Sequence, residues 1–307
     1  MPLTISVLGE ALMDCIAQAD GSLLPLLGGS PFNLARAAAL RGAKVSYLNP
    51  LSDDAFGRRL ATQLEQDDVT LSGGRSSLPT SLAVIQMHAG QPSYGFYREG
   101  IADRDYSVAS VLAQLQELPP GVLHSGSLML LPPEHDKVLP ILEGAKRLGW
   151  TISIDTNLRP KLAADLARYV AAVHAASRLA DWIKASDEDL ELLGFGTCER
   201  AQSPTIADHF RALGCSRIAL TFGGQGAWLE VDGAQASAEV PPTDVVDTVG
   251  AGDTFWGNCL GDWATFPEDS ASRVSQTLQD AMQAAAINCS RPGCQPPRYD
   301  EIRTARV

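Results

Sequence analysis

This sequence contains no run of the ~18–20 uninterrupted apolar residues that a membrane-spanning helix requires. Its six cysteines, Cys15, Cys198, Cys215, Cys259, Cys289 and Cys294, include no C-x-x-C pair. Neither a zinc site nor a dithiol redox motif is therefore indicated, and they read as reduced thiols. Basic charge is short as well: 24 Lys and Arg stand against 36 Asp and Glu, and the net charge of −12 repels a nucleic-acid backbone or an anionic membrane at long range. There is no internal repeat, low-complexity tract or linker stretch, and no G-x-x-x-x-G-K-S/T, so the chain carries no P-loop. Glu10 and Asp14 fall where a secretory signal would be apolar, and a cytoplasmic protein is expected.

What is present is the material for a core. Over 307 residues, 45% of side chains are apolar and 20% charged, which excludes disorder, coiled coil and collagen-like structure. Short apolar runs at 5–8, 45–48, 122–124, 151–155, 182–184, 218–221 and 227–231 alternate with segments of helical period. That alternation predicts an α/β fold, a doubly wound and mainly parallel sheet with helices on both faces. Helix starts are marked by Pro31 before 34–40, Asp53 before 56–64 and Ser186 before 190–193; a final helix over 274–288 ends at Arg291-Pro292-Gly293. One stretch departs from the pattern. Residues 80–87 and 93–98 read as a hairpin around 88–92, with Leu82 and Val84 on one face and Ile85 and Met87 on the other. A hairpin inserted in a parallel domain is either a lid over a ligand or an ordinary antiparallel edge.

The segment richest in chemistry is Asp247-Thr248-Val249-Gly250-Ala251-Gly252-Asp253-Thr254-Phe255. Its glycines precede a helical run, so backbone N–H groups converge at a helix N-terminus, where developing negative charge is stabilised. Asp253 in the first turn is favoured as a carboxylate by the helix dipole and stands where a base for a hydroxyl proton belongs. The plainer alternative is a carboxylate capping a helix. A dinucleotide fingerprint does not fit, because Phe255 replaces its third small residue and the segment lies late in the chain.

This signature, with Gly28-Gly29-Ser30-Pro31-Phe32-Asn33, resembles the paired signatures of the ribokinase-like (PfkB) carbohydrate kinases. The similarity continues through Asp155-Thr156-Asn157-Leu158-Arg159-Pro160, Thr221-Phe222-Gly223-Gly224-Gln225-Gly226 and Ser290-Arg291-Pro292-Gly293, and so covers essentially the whole chain. It implies one ribokinase-like α/β domain over 1–307 with a small β lid built from about 11–28 and 80–104. It further implies that Asp253 is the catalytic base, with the amides of Gly250, Ala251 and Gly252 as the anion hole for a γ-phosphoryl group leaving ATP. Asp14, Gly28, Gly29, Asn33, Tyr97, Arg98 and Arg159 would bind the monosaccharide. Lys184, Ser186, Thr221, Gly223, Gly224, Gly226 and Gly252 would receive ATP, although Lys184 alone reads equally as a snorkelling surface lysine.

The departures concern metals. Family members commonly carry Asn-x-x-Glu where Ser186 and Asp189 stand, so Mg²⁺ is expected to enter as MgATP, with Asp189 meeting it through water. Asp247, Val249, Asn288, Arg291 and Gly293 match a monovalent-cation (K⁺) site, but Pro297 replaces a hydroxyl. Glu10-Ala11-Leu12-Met13-Asp14 and the run from Phe96 to Arg104 look most like bacterial fructokinases, which makes D-fructose the expected substrate. Arg98 and Arg159 also resemble arginines that grip the carboxylate in 2-keto-3-deoxygluconate kinases. A homodimer paired through the lid is the expected assembly. The reading from another class is a sugar- or nucleotide-binding sensor without catalysis, which would have no use for Asp253.

Overall fold

The computed structural model describes residues 2–88 and 91–305. The apolar runs assemble into a nine-stranded sheet, which from edge to edge reads Ala234–Ala238, Ala227–Val231, Arg217–Thr221, Trp182–Ser186, Thr151–Asp155, Val122–Gly126, Thr4–Val7, Lys44–Tyr47 and Val69–Leu71. Strands pair in parallel from Val69–Leu71 to Arg217–Thr221, and the remaining two join antiparallel. All seven strands expected from the sequence belong to this sheet. The two that were not expected are its edges. Val69–Leu71 is too short to show alternation, and Ala-Gln-Ala-Ser-Ala in Ala234–Ala238 carries no β-branched or aromatic side chain.

Helices cover both faces. Ser30–Leu40, Ala251–Thr265 and Val274–Cys289 close over one apolar cluster, which holds Val7, Tyr47, Trp256 and Trp263. Val108–Glu117, His135–Arg147, Leu166–Ser177 and Ser203–Ala212 close over the other, which holds Ile152, Ile154, Ile183 and Tyr169. One contact on the first face matters for function. A Cβ on Gly257 would lie 2.7 Å from Ala37 Cβ, and one on Gly261 would lie 3.0 Å from Ala38 O. Only glycine lets Ala251–Thr265 come this close to Ser30–Leu40, and the closeness places the first turn of one helix against the first turn of the other.

A second, four-stranded sheet is ordered Leu23–Gly28, Leu12–Ala17, Ser81–His88, Gln91–Tyr97. The expected hairpin is present, paired from Leu82↔Tyr97 to His88↔Gln91; the turn at 89–90 and the side chains of 87–94, Met87 included, lie outside the described residues. Its partner strands, Leu12–Ala17 and Leu23–Gly28, were expected only through the resemblance, as part of the β lid, and not from periodicity.

Two boundaries need correction. The helix expected behind Asp53 is Ala55–Gln66 and is capped by Asp54, whose carboxylate accepts the Gly57 N–H at 2.7 Å, while Asp53 pairs with Arg75. The helix at Val274–Cys289 is not the last, because Tyr299–Thr304 follows the Pro-Gly break.

Candidate active site

Parallel strands with helices on both faces deliver their C-terminal ends to one edge of the sheet. Here Gly126, Asp155, Lys184, Ser186 and Thr221 end or nearly end their strands, with Gly126 opposite Asp155, Asp155 opposite Lys184 and Ser186 opposite Thr221. The N-termini of Ser30–Leu40 and Ala251–Thr265 meet above this edge.

Asp253 lies at that meeting point and is 8% exposed. Ser30 Oγ donates to its Oδ1 at 2.6 Å and Asn33 Nδ2 to its Oδ2 at 3.0 Å, so both oxygens are held by neutral donors from the facing helix. Burial pushes the Asp253 carboxyl above its ordinary range; Ser30, Asn33 and the positive charges of Lys184 and Arg159 oppose that push without cancelling it. A base that is both fixed and raised is suited to taking a hydroxyl proton. Ser30 was not among the residues singled out from the sequence, and no local pattern distinguishes it from a helix-start serine.

Gly250 caps the same helix in the left-handed region, at φ 73°. The Ala251 N–H already closes a turn onto Thr248 O at 3.2 Å, which leaves the amides of Gly250 and Gly252 as the more open part of the expected anion hole. Behind Gly252, where a Cβ would lie 3.3 Å away, is the Lys184 ammonium. Lys184 is 4% exposed, and its Nζ donates to both oxygens of Asp155 at 2.9 and 3.0 Å. The surface-lysine alternative therefore does not hold. Burial would lower its pKa, but the carboxylates of Asp155 and Asp189 outweigh that and raise it, so the cation persists beneath the glycine turn. Asp155 was quoted from the sequence only as part of a motif; its pairing with Lys184 is a tertiary fact.

On the expected sugar side, Asp14 stands directly over Gly28: a Cβ there would lie 2.1 Å from Asp14 Oδ2. Its pKa is pushed up to about 6 by burial and by repulsion from Asp253, with Arg159 pulling the other way. Gly29, at φ 107°, leads into Ser30–Leu40. Asn33 Oδ1 is buried without a partner, an acceptor available to a hydroxyl donor. Tyr97 is 64% exposed at the end of its strand. Arg159 is exposed, near Asp14 and Asp253. Arg98 is different: its side chain is 10% exposed, and its guanidinium lies 3.7 Å from Asp103 and near Glu10. Burial raises Glu10 to about 7 and Asp103 to about 6, and Arg98 is the main opposing influence on each.

On the expected nucleotide side, 221–226 turns the chain from Arg217–Thr221 into Ala227–Val231, with Phe222 N donating to Gly226 O at 2.9 Å. Gly223 and Gly224 have open space where a side chain would stand. Gly226, at φ 92°, packs on Ala238 O. Ser186 caps its helix by accepting the Asp189 N–H, and Asp189 is engaged in return: Oδ1 accepts Leu158 N–H at 2.7 Å, and Oδ2 accepts Ser186 N–H and Oγ–H at 3.0 and 2.9 Å.

Among the described residues no group of three or more His, Cys, Asp or Glu side chains is arranged to hold a metal ion. The residues matching a K⁺ site are linked to one another by hydrogen bonds. Asp247 Oδ1 accepts Val249 N–H at 3.0 Å and Oδ2 accepts Gly293 N–H at 2.9 Å, while the Val249 carbonyl accepts Asn288 Nδ2 at 2.8 Å. The Asn288 carbonyl accepts Arg291 N–H at 3.1 Å. Each of these oxygens thus accepts one protein N–H.

The model of the pfkB family carbohydrate kinases matches residues 3–301. A fructokinase of Rhizobium leguminosarum bv. trifolii is 29% identical over 302 residues, covering 96% of this chain and 88% of its own. A Vibrio alginolyticus fructokinase is 29% identical over 297 residues, covering 94% and 93%. Among solved structures, a Xylella fastidiosa fructokinase with bound ATP superposes with a TM-score of 0.84 at 24% identity, over 98% of this chain and 97% of the other. An E. coli putative ribokinase II in complex with ATP and Mg²⁺ gives a TM-score of 0.84 at 24% identity, over 99% and 100%. These two likenesses are of fold.

Proposed function

The chain belongs to the pfkB family of carbohydrate kinases, and from that premise we propose that it transfers the γ-phosphoryl group of ATP to a primary hydroxyl of a monosaccharide, D-fructose at C6 foremost. The observation that carries this reading is Asp253, a buried carboxylate in the first turn of a helix, flanked by the glycine turn on one side and by Asn33 on the other. In the step itself, the sugar hydroxyl oxygen forms a bond to the γ-phosphorus as the bond from that phosphorus to the β–γ bridging oxygen breaks. The hydroxyl proton passes to Asp253, and ADP departs. Phosphoryl transfer has a loose transition state, so positioning and charge stabilisation matter more than base strength. Gly250 and Gly252 amides and the Lys184 ammonium supply that stabilisation, and the glycines of 221–226 admit the phosphates. Mg²⁺ enters with ATP as part of the substrate. Asp189, closed by three backbone and hydroxyl donors, would meet it only through water.

The surroundings of Arg98 favour a neutral sugar over a sugar acid. Its charge is already faced by Glu10 and Asp103, which leaves it less available to a substrate carboxylate than Arg159, the cation near Asp14. The four-stranded sheet serves as the lid of a single-domain enzyme. Its edge strand Leu23–Gly28 exposes Leu23 and Leu24, each 48% open, as the surface by which two lids pair in a homodimer; a monomer by sedimentation at micromolar concentration overturns this. The six free thiols suit a cytoplasmic enzyme.

Steady-state ADP release with fructose, ribose, 2-keto-3-deoxygluconate and nucleosides tests the assignment. Fructose is expected to give the highest kcat/KM. A higher value for the sugar acid rejects fructose, and no ATP consumption with any acceptor restores the sensor reading.

A further inference from the structure

The lid joins the body where several stretches of chain lie together. The chain passes between the two sheets at 8–11, 29, 77–80 and 98–101. Gly29 packs on the first of these: a Cβ there would lie 2.4 Å from Glu10 O. Pro79 O accepts the Ala102 N–H at 2.9 Å, which ties the third to the end of the fourth. The first and the fourth are joined by a side chain of the body. Asn49, 1% exposed in the loop after Lys44–Tyr47, accepts the Gly9 N–H at 2.6 Å and donates from Nδ2 to Asp103 O at 2.8 Å. Tyr47 donates its hydroxyl to Gly9 O at 2.6 Å, so both backbone groups of Gly9 are taken by buried side chains. Beside them Arg98 lies 3.7 Å from Asp103 and near Glu10, an ion cluster that spans the same two crossings. Gly9 itself has no room for a side chain: a Cβ would lie 2.0 Å from Pro31 Cβ, in the helix whose Ser30 and Asn33 hold Asp253.

We propose that Asn49 is a positioning residue: its amide fixes the root of the lid to the body and so sets Asp14 relative to Asp253 for the sugar that both are to meet. The path is short. Glu10 leads into Leu12–Ala17, the lid strand that carries Asp14, and Asp14 already lies close enough to Asp253 to feel its charge. Gly9, one residue earlier, rests on Pro31 beside Ser30. A shift at Gly9 is therefore passed to Asp14 on one side and to the helix that orients the base on the other. The amide suits this task because its partners are an N–H and a carbonyl from two different crossings; it has one workable orientation, and it holds their separation fixed. Removing it leaves polar backbone groups of two buried residues without that partner and leaves the root to Tyr47 and the ion cluster. The glycines of 221–226, where ATP is expected, lie on other strands and should not feel the change. This inference rests on the kinase reading for its effect on sugar kinetics, but not for its effect on the lid.

The test compares wild type with Asn49→Ala and Asn49→Asp between about pH 6 and 8, using fructose or whichever acceptor in the panel gives the highest kcat/KM. Asn49→Ala is expected to raise KM for the sugar about tenfold, with KM for ATP and kcat within about threefold. The Asp variant keeps the acceptor for Gly9, but its carboxyl donates to Asp103 O only when protonated, a form favoured by burial beside Asp103 and Glu10. Its sugar KM, taken as a ratio to wild type at the same pH, should approach one at the acid end and rise with pH, while the ratio for Asn49→Ala stays level. A residue that merely filled space would give neither the split between the two substrates nor the rescue by acid. Should Asn49→Ala not fold, the pH dependence of the Asp variant carries the test. Limited proteolysis gives a reading independent of turnover: Asn49→Ala should be cut about tenfold faster than wild type within 11–28 or 77–101, with the rest of the chain left intact. An unchanged sugar KM, equal rises for sugar and ATP, an Asp variant whose ratio ignores pH, or cuts spread over the nine-stranded sheet would each overturn the proposal. If wild type consumes no ATP with any acceptor, the kinase reading fails instead, and the pattern of cuts alone decides the role of Asn49.

Discussion

The helix Ala251–Thr265 carries a buried aspartate near each end, and the two are put to opposite uses. Asp253, in the first turn, has no cation in direct contact among the described residues; a serine hydroxyl and an asparagine amide hold it. Asp262, in the last turn and 1% exposed, accepts from Arg41 and from Arg273 at 2.9 Å, and takes the Thr277 hydroxyl at 2.6 Å. Arg41 also stacks on Tyr299, so this end of the helix joins Ser30–Leu40, Val274–Cys289 and Tyr299–Thr304. Same residue, same helix and similar burial give the proposed base at one end and a strut at the other. Partners decide which: neutral donors orient a carboxylate and leave it able to take a proton, whereas guanidinium groups neutralise it.

The largest expected effect comes from removing the base. Asp253→Asn should lower kcat by about 10²–10⁴-fold with sugar and ATP binding largely kept, measured by steady-state and binding assays; near-wild-type turnover would remove Asp253 from that role. At the other end the loss should appear in stability. Asp262→Ala leaves Arg41 and Arg273 short of their main partner and should cost about 3 kcal/mol in denaturant unfolding, with kcat per folded molecule unchanged. If Asp262→Ala lowers kcat at full stability, the division between the two ends is wrong.

Acidity separates the functions further. Burial raises Glu10 to about 7 and Asp14 and Asp103 to about 6, so the folded state binds more protons than the unfolded chain between about pH 4 and 7. Stability contributed by these groups is full below their unfolded pKa values and is lost as pH rises through 6 to 7. Activity should run the opposite way, rising over that window as Asp14 ionises, and the burial that raises Asp253 acts in the same direction. Melting curves and pH–rate profiles on one preparation check the crossing, and an activity plateau already reached at pH 5 would contradict it. The smallest effect is the finest probe. Ser30→Ala removes a donor that favours ionised Asp253 and should shift the acid limb of kcat/KM upward by at most about one pH unit, with the plateau kcat little changed. A limb that stays in place would show that the 2.6 Å bond does not tune the base.

Much of this was legible without coordinates, for a definite reason. Strands buried on both faces must be continuous apolar runs, and the seven such runs announce themselves; the edge strands, three residues at Val69–Leu71 and small residues at Ala234–Ala238, have no comparable signature. The helix start at Gly250 with Asp253 in its first turn was legible because its signal is local: a helix N-terminus is set by a few consecutive residues. Ser30, 223 positions away from Asp253, and Asp155, 29 positions from Lys184, were not recognisable as partners. Lys184 itself allowed two readings until its burial was seen.

The sequence by itself determined the alternating architecture and the family, and it singled out the residue types at the proposed site, because each depends on periodicity or on a short contiguous motif. Tertiary structure decided which side chains are charged, which are satisfied and which are free. It set Arg98 against Glu10 and Asp103, closed Asp189 into a cap, and turned the Asn288 amide onto Val249. Those outcomes depend on burial and on partners brought together from distant segments, which no local pattern encodes.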